Sequence, residues 1–474
     1  MDFKINIFNT ISRQKEELIT INQNELKMYV CGPTVYDRPH LGNARSIVIY
    51  DLFYRFFLTL FDKAIYVRNI TDVDDKINAE ALNQKISIQE LTSKIIKLFN
   101  DDTSALQVLK PSFEPKATEN IAEMIELIQK LIEKKHAYVS EGHVLFDVTS
   151  YENYGKLSNR NLDEMISGSR VEIGDYKRNP LDFVLWKPAS KNDDKSSMFE
   201  SPWSFEGSNL GRPGWHIECS AMSAKYLGNN FDIHGGGADL QFPHHENEIA
   251  QSVCGNSDSF YAKYWIHNGF LTVEGEKMSK SLKNFITVRD LLEKGLKGVV
   301  IRYLLLATHY RKPFDYNEKS LLDATKTIEK FNAILLPEDI SDLSDNFTKE
   351  DLSKYGEDSV YLGVLTCLAD DLNISKAIAL LHDFAKKIKN NNSSQDRKEF
   401  AKSLNLLGFI DREFGDSQEN SDVNESEIEG LINQRITAKQ NKDFALADKI
   451  RNDLLSQGII LEDIAKDKTI WKKS

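Results

Sequence analysis

Apolar residues along the chain fall into runs whose spacing alternates between that of strands and that of helices. Leu26-Lys27-Met28-Tyr29-Val30 has the compact apolar character of a strand, and Gly32-Pro33 ends it. Ile47, Leu52, Phe53, Phe56, Phe57 and Leu60 then recur along a helix, and Ala64 to Ile70 reads as a second strand. Strand, helix and strand in this order predict a βαβ unit of a parallel sheet, whose ligands bind beyond the carboxyl ends of the strands. Those two ends carry Cys31 and Thr71-Asp72.

From about Pro111 to Ser201 the pattern is that of an insertion. A helix over Ile121 to Lys135 is followed by short strand-like pieces and by the polar run Lys191 to Ser196. Sheet character returns at Phe231-Asp232-Ile233-His234, which three glycines stop, and Pro243 is placed as the first residue of the next helix. Beyond Leu321 the spacing is helical, and Asp371 to Ile378 opens one helix through an Asn or Ser cap. Asn390 to Asp396 and Gly415 to Asn424 read as loop or linker. Two amphipathic helices close the chain, one bearing Ile428, Leu431, Ile432 and Ile436, the other Phe444, Ala447, Ile450, Leu454 and Leu455.

The expected fold class is α/β. A Rossmann-like parallel-sheet domain in two halves, 1–110 and 204–270, encloses an insertion at 111–203. A lysine-loop region at 271–320, a helical bundle at 321–414 and a small C-terminal domain at 425–474 follow.

Composition adds bounds. The 474 residues are 41% apolar and 28% charged, enough for several cores and three or four domains. No apolar run reaches the roughly 20 residues that span a bilayer, and the start lacks a signal peptide's hydrophobic stretch, so a cytoplasmic protein with no membrane partner is expected. The net charge of −12 speaks against a broadly polyanion-binding surface, although local basic patches bind nucleic acid whatever the overall sign. The four cysteines, Cys31, Cys219, Cys254 and Cys367, include no Cys-x-x-Cys pair, which argues against a disulfide framework or a zinc ribbon.

Two segments suit a nucleotide. Pro39-His40-Leu41-Gly42-Asn43 falls between a strand and a helix, where backbone N–H groups and the helix dipole attract phosphate. Lys277-Met278-Ser279-Lys280-Ser281 sets two lysines within one turn after Gly275, as a mobile loop over a transferring phosphate would. Singly, the first is as well read as an ordinary strand-to-helix turn, and a Lys-Ser-rich turn such as the second is usually just solvated surface. A third group suits a metal. If Pro243 opens a helix, His244 and Glu248 stand at i and i+4 on one face, and the sheet's ligand edge can bring Cys31 and Cys219 to them. Taken alone, buried thiols are most often small apolar side chains, and four protein ligands normally make a closed structural zinc site.

Together the segments resemble the signatures of class I aminoacyl-tRNA synthetases: His40-Leu41-Gly42-Asn43 is similar to the His-Ile-Gly-His element, with Asn43 in place of the second histidine, and Lys277 to Ser281 match the Lys-Met-Ser-Lys-Ser element. Tyr29 to Asp37, Arg212 to Met222, His234 to Gln251, Lys442 to Asp448 and Gly458 to Asp463 resemble the cysteinyl-tRNA synthetase family across essentially the whole chain. That resemblance implies one zinc ion on Cys31, Cys219, His244 and Glu248, and an amino-acid pocket at Thr71, Trp215 and His234. It also implies an ATP site at His40, Gly42, Asn43, Asp239 and Lys280, with Mg2+ accompanying the ATP. His40, Asn43, Lys277 and Lys280 would serve catalysis, and Cys254 and Cys367 match no ligand. The implied activity is conversion of L-cysteine to cysteinyl-adenylate and its transfer to tRNA(Cys) by a monomer, the bundle leaning on the tRNA and the last domain reading the anticodon end. The rivals are a cysteine ligase acting on an aminosugar, which would lack the tail from Glu425, a zinc hydrolase using His244 and Glu248, and a non-catalytic RNA-binding protein on a synthetase fold.

Overall fold

The computed structural model describes residues 3–160, 174–190, 193–278, 282, 284–341, 343–412, 425–441, 443–456, 459–465 and 468–473. They form two compact units, Met1–Ile410 and Asp411–Ser474.

In the first unit the hairpin β1 (Asn6–Asn9) and β2 (Gln14–Glu17) precedes β3 (Glu25–Val30), α1 (Leu41–Leu60) and β4 (Lys63–Arg68). The expected βαβ unit is present, with β3 and β4 parallel from Glu25↔Lys63 to Val30↔Arg68. Two helices, α2 (Asp75–Gln84) and α3 (Ile88–Ala105), follow before α4 (Ile121–Glu133). An antiparallel sheet comes next, made of β5 (Ala137–Ser140), β6 (His143–Phe146), β7 (Phe183–Pro188), β8 (Phe199–Phe205) and β9 (Ser208–Pro213), in the order β5-β6-β7-β9-β8. Its last strand runs beyond residue 203, into the stretch that the apolar pattern assigned to the returning α/β domain. The Gly-Arg-Pro end of β9 hides it from a period-two reading.

The parallel sheet resumes after α5 (Trp215–Leu227) with β10 (Asn230–Gly237), α6 (Glu246–Gly255) and β11 (Tyr261–Asn268). Its order is β11-β10-β3-β4, all parallel, so the two halves of the sequence join at β10 and β3 through Ile233↔Met28, His234↔Tyr29 and Gly235↔Val30. Both faces are covered, as a parallel sheet requires. Met28, Val30, Ile233 and Ile266 point into one apolar cluster with Val48, Phe53 and Phe56 of α1. Tyr29, Phe231 and Trp265 point into another with Ile128 of α4, Ile217 of α5 and Ala250 of α6. Along β3, where Met28 and Val30 face one cluster and Tyr29 the other, this is the strand period of two made visible.

Pro243 does not start the regular helix. Phe242 has extended backbone, Phe242–Pro243 is cis, and a single wide turn over 241–245 leads into α6 at Glu246. His245 and Glu246 are nevertheless right-handed helical, so His244 still faces Glu248 across one turn.

Beyond β11 lie β12 (Leu271–Val273), β13 (Glu276–Lys277), α7 (Val288–Glu293), α8 (Gly298–Leu306), β14 (Phe314–Tyr316), α9 (Glu318–Asn332), α10 (Pro337–Ile340), α11 (Val360–Ala369), α12 (Ile374–Asn391) and α13 (Ser394–Leu407). The cap of α12 is Asn373, whose side chain accepts from the Lys376 N–H. The polar run 390–396 is no loop: Asn392 turns the chain at φ 47° and Ser393 caps α13 at once. One buried ionic knot fixes α1 to the bundle. Asp51 lies 2.8 Å from Arg55 and 2.5 Å from Arg302, while Arg55 donates to the Asn405 carbonyl and Arg302 to that of Leu407.

In the second unit α14 (Glu425–Gln440) and α15 (Phe444–Ser456) carry Ile432, Ile450 and Leu454 into a small core with Leu461. A hairpin that the helical spacing did not announce, β15 (Ile459–Ala465) and β16 (Lys468–Lys473), completes it. The linker expected at 415–424 lies outside the described residues. Among the described residues no helix is long and apolar enough to cross a membrane.

Candidate active site

The site lies at the carboxyl ends of the parallel strands. Cys31 follows β3 and Thr71 follows β4, and the two ends are drawn together because Gly32 lacks a side chain. A Cβ there would sit 1.6 Å from the Asn69 carbonyl oxygen. The Gly32 N–H donates to Asn69 Oδ1 at 2.8 Å, and Thr71 N–H donates to the Pro33 carbonyl.

Asn43, the departure from the class signature, has a definite local role. His40 Nδ1 accepts from the Asn43 N–H at 3.2 Å, and Asn43 Oδ1 accepts from the His40 N–H at 3.3 Å, a reciprocal cap on α1. Burial lowers the His40 pKa, against the attraction of Asp239, the exposed residue just beyond β10. The chain after the lysine loop returns to this cap: the Leu41 N–H donates to the Ile286 carbonyl, His40 bridges Thr287, and Phe285 meets the His40 ring edge-on. The α1 cap and residues 285–287, which follow the lysine motif, thus share one neighbourhood. Lys277 is exposed at the end of the β12–β13 hairpin, and Lys280 lies outside the described residues.

Arg45, one turn into α1, fixes that hairpin's root. Its fully buried guanidinium donates to the carbonyls of Gly269 (2.7 Å), Phe270 (3.0 Å), Lys312 (2.7 Å) and His309 (3.5 Å). Gly269 permits this convergence, since a Cβ would come within 2.6 Å of the Lys312 carbonyl.

Below the cap, Cys31, Cys219, His244 and Glu248 bring one donor atom each to within 4.8 Å of all the others. Cys219 is on α5 and Glu248 on α6, which pack together behind β10 and β3. His244 Nε2 is 3.0 Å from Glu248 Oε1 and 3.6 Å from Cys219 Sγ, and Cys31 Sγ is 3.3 Å from Glu248 Oε1. Burial raises both thiols, but the contact between them divides the pair. Cys31 rises well above the usual thiol value, whereas Cys219, helped by His244, settles at about 6. Burial would lower His244, yet Glu248 and Cys219 carry it up to about 10, and His234 and His244 hold Glu248 well below the carboxylate range against its own burial.

A second set, Cys31, His234, His245 and Glu248, meets the same proximity test. Its histidines are engaged differently. His234 Nε2 contacts the far oxygen of Glu248, Oε2, at 2.8 Å, and that oxygen also accepts from Tyr261 OH at 2.7 Å. His245 Nδ1 is locked to His267 Nε2 at 2.8 Å, and His267 Nδ1 to Thr10 Oγ1. His234 and Tyr261 hold the far oxygen of Glu248 and leave Oε1 to the first set, while His245 Nε2 stands 3.4 Å from Cys31 Sγ, the kind of support that metal-binding side chains need from their surroundings.

The residues expected around an amino acid are near but not equivalent. Trp215 is 40% exposed and stacks on His244 at 4.2 Å. Thr71 Oγ1 donates to Glu218 Oε2 at 2.7 Å, and His234 is fully buried against Trp265. Trp215, His216 and Glu218 line a cleft of about 310 Å³ that runs from the site toward the antiparallel sheet. His216, Glu218 and His245 fall inside segments singled out in the sequence, but without a role, and Tyr261 and His267 lie outside every motif.

The family of tRNA synthetases class I (C) catalytic domains matches residues 17–326. The cysteine--tRNA ligase of Rickettsia bellii is 50% identical over 99% of this chain and 100% of its own length, and that of Ehrlichia ruminantium, strain Welgevonden, is likewise 50% identical over 99% and 100%. Among solved structures, Mycobacterium tuberculosis methionyl-tRNA synthetase in complex with methionyl-adenylate superposes with a TM-score of 0.55 over 81% of this chain and 88% of that one. At 14% identity this last likeness speaks for the fold alone. Full-length identity at this level, on a chain whose parallel sheet, capped α1 and donor cluster have the arrangement described, places the protein in the cysteine--tRNA ligase family.

Proposed function

We propose that the chain activates L-cysteine with ATP and transfers it to tRNA(Cys), and that a zinc ion on Cys31, Cys219, His244 and Glu248 selects the thiol. The observation that carries the selection is the convergence of those four donors, two of them thiols, beside a cleft at the strand ends. The donor set fits zinc, which accepts thiolate, imidazole and carboxylate together. Bound there, zinc supplies a thiophilic Lewis acid that prefers a thiolate to a hydroxyl, a distinction shape alone makes only weakly between cysteine and serine.

The protein's own groups do the rest by position and charge. Trp215 closes one side of the cleft over His244, and the buried Thr71 hydroxyl is held on Glu218, which lines the cleft. The cap at His40, Gly42 and Asn43 receives ATP phosphates at the α1 N-terminus, Asp239 holds the ribose, and Mg2+ accompanies the nucleotide. Lys277 and Lys280 answer charge developing on the phosphates. A cysteine carboxylate oxygen forms a bond to the α-phosphorus as the bond to the β-phosphate oxygen breaks and pyrophosphate leaves. A hydroxyl of the terminal tRNA ribose then takes the acyl group and AMP departs.

ATP–pyrophosphate exchange with cysteine against serine, with and without a zinc chelator, tests the reading. Exchange driven by cysteine and abolished by chelation is expected; exchange unaffected by full zinc removal refutes the zinc assignment.

A further inference from the structure

Asp102, near the end of α3, is a carboxylate that the site described above does not use. Its side chain is fully buried, yet guanidiniums from two distant parts of the chain end on it. Arg289 sets Nη2 2.7 Å and Nε 3.0 Å from Oδ1, and Arg38 Nη1 lies 3.4 Å from Oδ1 and 3.3 Å from Oδ2. The two arginine side chains stay 28% and 31% exposed. A partly solvated guanidinium gains little from such a pair, and withdrawing the carboxylate from water offsets what the pairing returns, so the cluster is a poor source of stability. What it fixes is position.

Arg38 stands two residues before His40, the cap of α1, with Pro39 between them. Proline locks its own φ at about −65° and confines the residue before it to extended backbone, so a displacement of Arg38 reaches His40 with little slack. Arg289 is the second residue of α7, two after Thr287, which caps that helix and bridges His40. The Leu41 N–H also donates to the Ile286 carbonyl, at 3.0 Å. A closed circuit results, running from Asp102 through Arg38, Pro39 and His40, across to Thr287, and back through Val288 and Arg289. Just upstream, Asn284 Nδ2 donates to the Lys277 carbonyl at 3.3 Å, which fastens the same segment to the start of the lysine motif.

We infer that Asp102 is a positioning residue for adenylate formation, holding the α1 cap and the chain that follows the lysine motif in the mutual placement in which they meet ATP. The inference rests on the cap being the ATP phosphate site proposed above. Being fully buried, Asp102 itself meets no substrate, and it acts through the two arginines. Without its charge, two guanidiniums are left side by side and repel one another. The segment before His40 and the start of α7 are then both released, and the backbone contact between Leu41 and Ile286 is left to hold them alone.

The test is ATP–pyrophosphate exchange by the full-length, zinc-replete enzyme at saturating cysteine, with Asp102→Asn, Arg38→Met and Arg289→Met compared at a temperature where all are folded. Asp102→Asn is expected to lower kcat/KM for ATP by about tenfold while KM for cysteine and zinc content stay as they were. Its Leu41 amide should exchange with deuterium about tenfold faster, because the contact to Ile286 opens more often. Since the arginines act through one carboxylate, adding Arg38→Met and Arg289→Met to Asp102→Asn should cost less than about twofold more. A variant that melts at a lower temperature but keeps kcat and KM for ATP has lost a merely structural carboxylate, and that result overturns the inference. Unchanged exchange at Leu41 overturns it too, as do arginine losses that multiply in full on top of Asp102→Asn. If Asp102→Asn does not fold, Arg38→Met replaces it: this variant leaves Arg289 on the carboxylate and must still lower kcat/KM for ATP and speed exchange at Leu41. Failure of the underlying reading is seen separately in His40→Ala, which would then keep its KM for ATP and its exchange rate.

Discussion

Arg45→Lys isolates the geometry of the carbonyl clasp from its charge. The guanidinium spreads its donors over two nitrogens, Nη1 serving the carbonyls of Gly269 and Phe270, and Nη2 those of Lys312 and His309. An ammonium keeps the positive charge at a single atom on a flexible stem, so it can stay with one pair only. Two hydrogen bonds to a charged donor are then lost, and at the low end of about 1.5 kcal/mol each the root of the hairpin is loosened by about 3 kcal/mol. At 1.4 kcal/mol per factor of ten, local opening should become about a hundredfold more frequent.

Hydrogen–deuterium exchange reads this directly. The Gly269 N–H donates to the Tyr310 carbonyl at 2.8 Å and the Phe314 N–H to that of Phe270 at 2.9 Å, and both amides should exchange about a hundredfold faster in the variant. Amides in the middle of α1, around Leu52 and Phe53, should keep their protection, since the core there is untouched. Because the same hairpin carries Lys277, adenylate formation should slow while cysteine affinity holds. Unchanged exchange at Gly269 and Phe314 would refute the clasp outright, whatever the activity did.

Other residues give sharp outcomes. Cys219→Ala, which removes one of the four converging donors, should lower zinc content and weaken cysteine binding together; full zinc occupancy with normal cysteine affinity sinks the assignment. Lys280→Ala, motivated by the match of its loop to the class signature, should slow pyrophosphate exchange far more than it weakens cysteine binding, and an unchanged rate would count against that role. Asp51→Ala strands the buried Arg55 and Arg302 and should destabilise the first unit by about 3–5 kcal/mol in thermal unfolding. Glu350, raised by burial but held below its ordinary pKa by Lys402 and Tyr361, stabilises the bundle above the unfolded value near 4.3. That contribution is lost as pH falls through the lower folded value, and Glu350→Gln should remove this part of the acid dependence of the melting temperature.

Much of the site could be read from the chain because its donors are chemically unusual: two cysteines, a His at helical spacing from a Glu, and a lysine loop are rare enough to stand out. Their supports are not. Tyr261 and His267 lie within apolar stretches and take on meaning only once three-dimensional neighbours exist, and nothing in the spacing around Arg45 shows that it is fully buried. The run His244 to Glu248 is polar throughout, yet all five residues are buried, which the metal reading of His244 and Glu248 alone does not require. The C-terminal hairpin was missed for the opposite reason, since short strands such as Lys468–Lys473 carry too few apolar positions to show a period of two.

The placement of the donors follows from strand order, which spacing along the chain does not encode. Cys31 and His234 come together because β10 inserts beside β3 rather than at the far edge, a crossover that joins residues about two hundred positions apart. The join is only three residue pairs long, and the Cys31 N–H extends it by donating to the Gly235 carbonyl. From that point α1 leaves with the His40–Asn43 cap at its start, and α5 and α6, packed together, bring Cys219 and Glu248 from the opposite face. A shift of one residue in this register would turn His234 from the face shared with Tyr29 to the face shared with Met28, away from Glu248. The short junction of β3 and β10 is therefore what makes one site out of motifs that the chain keeps far apart.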